Sequence, residues 1–521
     1  MTTMDTWFRA TARRHPDAIA LEVGVERIRY RQLDSLADRV GAAITAAATG
    51  APRAVGILAE RSVRAYAGYL GALRAGATVV PLNPGFPAAR NVAICRAACV
   101  DTVVVDDTGA SLAAEVLVDT TAALVPLTGP RWWVDLPSTV DAGGPARRAE
   151  PDDIGYILFT SGSTGRPKGV PIRHRQLGDY LAYCADRYQV GPGSRLSQAF
   201  DLTFDPSVFD MFVAWYAGGT VVVPQPAELL TPARFIGERR ISHWFSVPSI
   251  ISLAERLRGL TPGSMPDLRW SLFAGEQLTL DQARAWAAAA PASTIENLYG
   301  PTELTITCTG YRLPRLAAHW PRTPNGTVPI GQPYPHLDAI LVADDGTVSA
   351  DDGELCMRGN QRFDGYLDPT DNRDRFVRVS GGRVSTVAGL PAEGDYYRTG
   401  DRVRWQDGEL VHLGRTDQQL KIGGYRVEPG EIECVLREHP DVHEAIVLGV
   451  EGAPGRVELH AFYTGVPDTE RAVLAHAHRR LPGYFVPTRL THLPAFPTNA
   501  NGKTDRGAVR DLYVHKAQLS V

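Results

Sequence analysis

A hydroxyl- and glycine-rich loop closed by a lysine is the first place where residue types and spacing could do chemistry. The stretch YILFTSGSTGRPKG occupies positions 156–169: an apolar strand runs into Thr160, Ser161, Gly162, Ser163, Thr164 and Gly165, and then Lys168. Glycines let backbone N–H groups turn inward, hydroxyls add donors, and lysine adds a mobile positive charge, which together make a phosphate cradle. It is not a Walker A loop, because Lys168 is followed by Gly169 rather than Ser or Thr. Taken alone, such a loop is most often a flexible surface loop. The lysine argues otherwise. Of 54 basic residues, only Lys168, Lys421, Lys503 and Lys516 are lysine. Lysine is a compact point charge and arginine a broad planar fork, so a chain that uses arginine almost everywhere keeps lysine where arginine will not serve. The competing explanation is a codon bias that leaves lysines at random places.

Four further segments carry polar residues in suggestive order. NLYGPTE at 297–303 closes a predicted strand, and ligands of doubly wound sheets bind at the carboxyl ends of strands. There Glu303 suits Mg²⁺, which takes few protein carboxylates and several waters, and Tyr299 suits stacking on a base. YRTGD at 397–401 places Asp401 after a glycine turn, as an acceptor for ribose hydroxyls. Positions 414–429 have the composition of a hinge followed by a glycine loop, and include Arg415, Asp417 and Lys421. PTNANGKTD at 497–505 is a polar loop presenting Lys503. Each of these, on its own, also reads as an ordinary turn.

The elements that must position these residues follow from hydrophobic patterning. Short β-branched runs at 54–58, 102–105, 154–160, 220–223, 244–247, 270–273 and 294–297 alternate with helical patterns such as 63–74, 177–188, 249–257 and 280–289. Such alternation predicts mostly parallel sheets with helices on their faces. Positions 130–151 read as a connection. After Tyr311 the segments become short, and the D-G pairs of ADDGT, within 342–348, and WQDGE, within 404–410, signal β-hairpins of a smaller β subdomain. From Val427 the pattern is α+β: helices at 428–437 and 469–480, strands at 445–450 and 459–463. The expected fold is α/β, with an N-terminal domain at 1–416 and a small C-terminal domain at 417–521.

Composition bounds the function. A net charge of -4 argues against a dedicated nucleic-acid binder. No apolar run is long enough to span a membrane, and positions 1–10 lack a signal-peptide core, so the cytoplasm is the expected compartment. Six cysteines without a C-x-x-C pair make no disulfide framework or metal site.

Together, and in this order along essentially the whole chain, the segments resemble the adenylate-forming superfamily: acyl-CoA synthetases, luciferases and the adenylation domains of nonribosomal peptide synthesis. The amino-acid-activating branch is the nearest, through 297–303, 414–428 and 499–503. The resemblance implies ATP and Mg²⁺ as cofactors and an acyl-adenylate intermediate that a thiol attacks. Thr160, Ser161, Gly162, Ser163, Thr164, Gly165 and Lys168 match the β/γ-phosphate loop. Tyr299 matches the aromatic that packs on adenine, with Asn297, Gly300 and Thr302 among the ATP-binding residues, Glu303 matches the Mg²⁺ ligand, and Asp401 with Arg415 beside it the ribose site. Lys503 matches the lysine that bridges the carboxylate and the AMP oxygens. Asp417 matches the hinge on which a mobile C-terminal domain swings: Lys503 is in the site in one orientation, and the 423–424 loop, with Lys421 on it as a second catalytic lysine, faces the site in the other.

Asp205 matches the aspartate that binds a substrate ammonium. It also reads as a helix N-cap with Pro206 at the first helical position, and both readings stand at this point. Pro206, Phe209, Phe245, Leu272, Ala274, Leu298, Ile306 and Thr307 align with the specificity pocket. That wall is apolar apart from Thr307 and is similar to the pockets of free-standing prolyl-carrier-protein ligases. It points to proline or a related cyclic imino acid, with a small aliphatic or β-amino acid as alternative. No carrier or condensation motif is present, and 18 residues follow Lys503, so the expected acceptor is a separate carrier protein. Free CoA, an acyl-CoA synthetase and an inactive nucleotide binder are the rivals. The stretch 379–394 matches no motif.

Overall fold

The computed structural model describes residues 3–118, 120–134, 136–137, 147–161, 166–451, 457–497 and 505–511. It divides into two compact units: Met1–Pro84, Asn91–Phe159 and Lys168–Asp417 form the first, and Gly85–Arg90, Thr160–Pro167 and Gln418–Val521 the second.

The first unit contains two parallel-rich sheets and an antiparallel one. A nine-stranded sheet runs, in spatial order, Gln332–Pro333, Thr309–Arg312, Thr294–Tyr299, Trp270–Phe273, His243–Ser246, Arg195–Ser197, Thr220–Val223, Ile19–Val23 and Glu26–Arg29. Its central strands are parallel to one another. A six-stranded sheet runs Ala123–Pro126, Thr102–Val105, Ala54–Leu58, Thr78–Leu82, Ile154–Thr160 and Lys168–Arg173. Strands such as TVVV at 102–105 and WSLF at 270–273 are buried at every position. Sheets covered by helices on both faces require that, which is why these strands read as continuous apolar runs. The helices between them start where a side chain can satisfy loose backbone N–H groups. Ser62 caps Val63–Arg74, Asp106 caps Asp107–Val116, and Thr279 forms a capping box with Gln282 on Leu280–Ala289.

Both hairpins expected from the D-G pairs are present in a seven-stranded antiparallel sheet: Leu337–Val342 pairs with Val348–Ser349, and Tyr396–Gln406 with Glu409–Arg415. Part of the unassigned 379–394 stretch belongs to a third hairpin, Phe376–Ser380 with Arg383–Thr386. Strands Ile19–Val23 and Glu26–Arg29 and helices Met4–Arg14 and Tyr30–Ala47 were not expected from the pattern. Glu26–Arg29 carries three charged residues in four and sits at a sheet edge, where no apolar run is needed.

The second unit pairs Val442–Glu451, Val457–Gly465 and Arg489–His492 in one sheet, and Leu420–Ile422 with Tyr425–Val427 in a ribbon. Helices Pro429–Arg437 and Glu470–Arg480 pack beside them over a core that includes Val427, Ile432, Val447, Ala461 and Val473. No helix among the described residues is long and apolar enough to cross a membrane.

Candidate active site

One side of the site grows from three neighbouring parallel strands. Phe245 lies opposite Leu272, and Leu272 opposite Glu296. Opposed residues share a face, as do alternate residues of one strand. Phe245, Leu272 and Leu298 therefore line one face at the strands' carboxyl ends. Helix Pro206–Ala217 adds Phe209, whose ring meets that of Phe245 edge-on with 5.0 Å between centroids. Phe209, Phe245, Leu272, Ala274, Leu298, Ile306 and Thr307 are all buried, and Pro206 is half-buried. Thr307, the polar member of the wall, is committed elsewhere: its hydroxyl lies 3.0 Å from the Tyr180 phenol and 2.9 Å from that of Tyr334. Burial pushes both phenols well above their ordinary range, so they stay protonated.

The structure bears on one of the two readings of Asp205, the helix cap. Pro206 does start the helix, but the Asp205 backbone is itself helical (φ −61°, ψ −30°) and its side chain makes no capping hydrogen bond. Capping needs an extended residue whose side chain folds back over the first N–H groups. The carboxylate instead interacts with the Thr302 hydroxyl and the Ile306 N–H, while Oδ2 is buried without a hydrogen-bond partner. Burial raises this carboxyl to about 7, aided by the charge of Glu303 and opposed by those two donors. An orphaned buried carboxylate oxygen is unfavourable, and a cation beside it relieves the cost.

The other side of the site is a chain of polar contacts. The Tyr299 phenol donates to Asp401 Oδ2 at 2.6 Å, and burial keeps that phenol protonated. Asp401 Oδ1 also meets His412 Nε2 at 2.9 Å and accepts from Arg415 at 3.1 Å. Arg415 makes two bonds to Asp417, at 2.7 and 2.8 Å. Glu303 is fully buried and accepts from the Tyr366 phenol at 2.6 Å. Lys168 lies over the same Tyr366 ring, 5.7 Å from its centroid, and 3.6 Å from Asp371. Lys168 and Glu303, far apart in sequence, thus flank one tyrosine. Gly300 is required sterically: a Cβ there would come within 2.6 Å of the Ile306 carbonyl oxygen and of Thr307 Cα.

Asn297 donates to the carbonyls of Val328 and Pro329 at 3.0 and 2.9 Å, and its Oδ1 is buried without a partner. Such an orphaned acceptor beside Tyr299 suits an N–H donor on a bound base. Among the described residues no cluster of three or more His, Cys, Asp or Glu can hold a metal. A single buried Glu303 near Lys168 fits Mg²⁺ carried in on phosphate oxygens, which needs only one or two carboxylates.

Other expected residues fall elsewhere. Thr160 ends strand Ile154–Thr160, and the Ser161 hydroxyl donates to the Arg426 carbonyl at 2.8 Å, inside the second unit. Lys421 lies on strand Leu420–Ile422 opposite Arg426 rather than on the loop. The turn itself is Gly423–Gly424, with φ of 57° and 81°, the type I′ geometry that glycine favours in a two-residue hairpin. Gly162, Ser163, Thr164, Gly165 and Lys503 lie outside the described residues. Sequence reading missed Tyr366, Asp371, His412, Tyr180, Tyr334 and Gln361. They come from separate segments and carry no local pattern. Asp371, for example, sits in a P-T-D-N turn.

Comparison with known proteins gives the chain a family. The model of the AMP-binding enzyme family matches residues 8–367, and that of the AMP-binding enzyme C-terminal domain matches 431–503. Phosphinothricin tripeptide synthetase PhsC of Streptomyces viridochromogenes is 36% identical over 96% of this chain, which spans 44% of that protein. The L-proline--[L-prolyl-carrier protein] ligase of Streptomyces coelicolor is 33% identical, over 93% of this chain and 92% of its own length. Among solved structures, IdnL7 is 40% identical with a TM-score of 0.73 over 99% of both chains. The Vibrio cholerae adenylation domain AlmE, solved with glycyl-adenosine-5'-phosphate, is 26% identical with a TM-score of 0.83, over 99% of this chain and 98% of its own. The family model that matches residues 8–367, well over half of the chain, and the 33% identity to a relative of nearly the same span make this chain a member of the AMP-binding enzyme family, the adenylate-forming superfamily.

Proposed function

We propose that this protein activates an amino acid as its aminoacyl-AMP and passes it to the phosphopantetheine thiol of a separate carrier protein. The observation that carries this reading is the unpartnered Asp205 Oδ2 at an otherwise apolar slot. An ammonium satisfies it, and an acyl chain does not. Proline or a related cyclic imino acid is the favoured substrate. The apolar wall and the committed Thr307 hydroxyl support it, since no polar side chain would find a partner there. A small aliphatic or β-amino acid is the second reading, favoured by the Phe209–Phe245 contact that closes the slot.

In this reading Asp205 anchors the ammonium and so aims the substrate carboxylate at the α-phosphorus of ATP. Asp401 and Tyr299 hold the nucleoside, and Lys168 neutralises phosphate charge. Mg²⁺, held by Glu303, would stabilise charge on the leaving pyrophosphate. The carboxylate oxygen forms a bond to phosphorus as the bond to pyrophosphate breaks. Positioning supplies much of the rate, and Lys503 stabilises the developing negative charge. The C-terminal domain, pivoting at Asp417, then brings the ribbon of Lys421 to the site. A thiol attacks the carbonyl and AMP leaves. The likeness in sequence to a carrier-protein ligase supports a carrier protein as the acceptor.

The test is amino-acid-dependent ATP–pyrophosphate exchange across proline, pipecolate, alanine, valine and β-amino acids, followed by loading of a carrier protein. Exchange with none of them refutes the reading. Exchange confined to β-amino acids refutes proline and keeps the mechanism.

A further inference from the structure

We propose that Gln361 is a positioning residue for amino-acid selection: its side-chain amide holds the 304–307 turn in a left-handed conformation, so that Ile306 directs its N–H at Asp205 and its side chain into the slot. The inference rests on the reading of Asp205 as the ammonium ligand.

The turn cannot stand by itself. Thr305 and Ile306 have φ of 57° and 74°. Two consecutive non-glycine residues in this region are unusual, and a β-branched one is an outlier. Such conformations persist only where the surroundings over-determine them, and they gather at functional sites. Here one side chain supplies three of the bonds that hold the turn. The Gln361 amide donates to the carbonyls of Leu304, Thr305 and Thr307 at 3.0, 3.2 and 2.9 Å. The Thr305 hydroxyl returns a bond to the Gln361 carbonyl at 2.6 Å. Two residues on, the Phe363 N–H donates to the Glu303 carbonyl at 2.9 Å, closing the other end of the turn.

The orientation of the amide follows from its partners. Three carbonyl oxygens face one end, which must therefore be the NH₂ group. At the other end Oε1 accepts from His336 Nε2. That bond requires the tautomer with a proton on Nε2, and it fixes which way the amide points. Gln361 is fully buried, so no water replaces these donations when the side chain is shortened. Its bonds run to the main chain of the turn, the Thr307 carbonyl among them, rather than to the Asp205 carboxylate. Its effect must pass through Ile306, which contributes an N–H to Asp205 and a buried side chain to the wall.

The nucleotide side hangs on different contacts, Tyr299–Asp401 and Tyr366–Glu303. A positioning role therefore predicts a split. Gln361→Met keeps the volume and removes the donors. It should raise the amino-acid KM at least tenfold, reduce discrimination between the preferred amino acid and one a methylene larger, and leave the ATP KM within about twofold. Adding Thr305→Gly, which tolerates positive φ unaided, should recover most of the lost affinity. A Gln361→Met enzyme with both KM values within twofold of the parent overturns the inference. So does an equal rise in both KM values, or no recovery with Thr305→Gly. If the unmodified enzyme shows no amino-acid-dependent exchange at all, the Asp205 reading itself falls, an outcome distinct from those three.

Discussion

Replacing Asp205 by Asn tests the amino-acid site most directly, because the substitution keeps the shape and removes the charge. Two effects of opposite sign follow. Without substrate, the ionised carboxylate is a burden. Raising a carboxyl from 3.8 to about 7 corresponds to about 4 kcal/mol of disfavoured ionisation. The folded-state value lies above the unfolded one, so the penalty is absent below about pH 4, grows from there, and is complete above about pH 7. Asp205→Asn should therefore raise Tm at pH 8, and the gain should shrink as the pH is lowered toward 4. With substrate the sign reverses. Removing one partner of a buried, hydrogen-bonded charge pair costs about 2–5 kcal/mol, or roughly thirty- to several-thousand-fold in the amino-acid KM. The ATP KM should change little. In the parent enzyme, kcat/KM for the amino acid should fall about tenfold per pH unit below about pH 7, because protonated Asp205 cannot hold an ammonium. Pyrophosphate exchange at varied amino acid and ATP, with melting curves at pH 5 and pH 8, measures all three. An Asn variant whose amino-acid KM stays within about threefold, or whose Tm falls at pH 8, would refute the argument.

Three other outcomes are expected. Lys168→Arg should lower kcat/KM for ATP at least tenfold, since a planar fork does not fit a buried position between Tyr366 and Asp371; near-parental ATP kinetics would show that charge alone suffices. Thr307→Val should cost about 1–3 kcal/mol of stability by leaving the Tyr180 and Tyr334 phenols short of a partner, while the preferred amino acid stays the same; a panel of exchange rates and a denaturant melt read both. Lys503→Ala should abolish adenylate formation and spare thiol transfer from supplied aminoacyl-adenylate; equal loss of both half-reactions would argue against two domain orientations.

Legibility differed by kind of element. Strands buried on both faces, such as 102–105 and 270–273, announce themselves as short β-branched or aromatic runs, and their bounds in the structure match those expected from the pattern. The edge strand Glu26–Arg29 has no such run, and the pattern carries no sign of it. In the site, glycine-bearing motifs were visible because glycine is needed where backbones approach closely, as at Gly300. Single residues recruited from distant segments were not, because Tyr366, Asp371 and His412 differ from ordinary surface polars only in where the chain folds them.

The amino-acid sequence by itself determined the α/β pattern and the family resemblance, and it singled out Lys168, Glu303, Tyr299, Asp401 and Asp205 as candidates. Those are matters of residue type and local spacing. Only the tertiary structure decided what each touches. It separated Asp205 from the helix cap that it resembles, and it gave the Thr307 hydroxyl to two buried phenols. It also bound a strained turn to Gln361, a residue 55 positions beyond Ile306. Hydrogen-bond partners and burial depend on distances between segments remote in the chain, and local spacing carries no record of those distances.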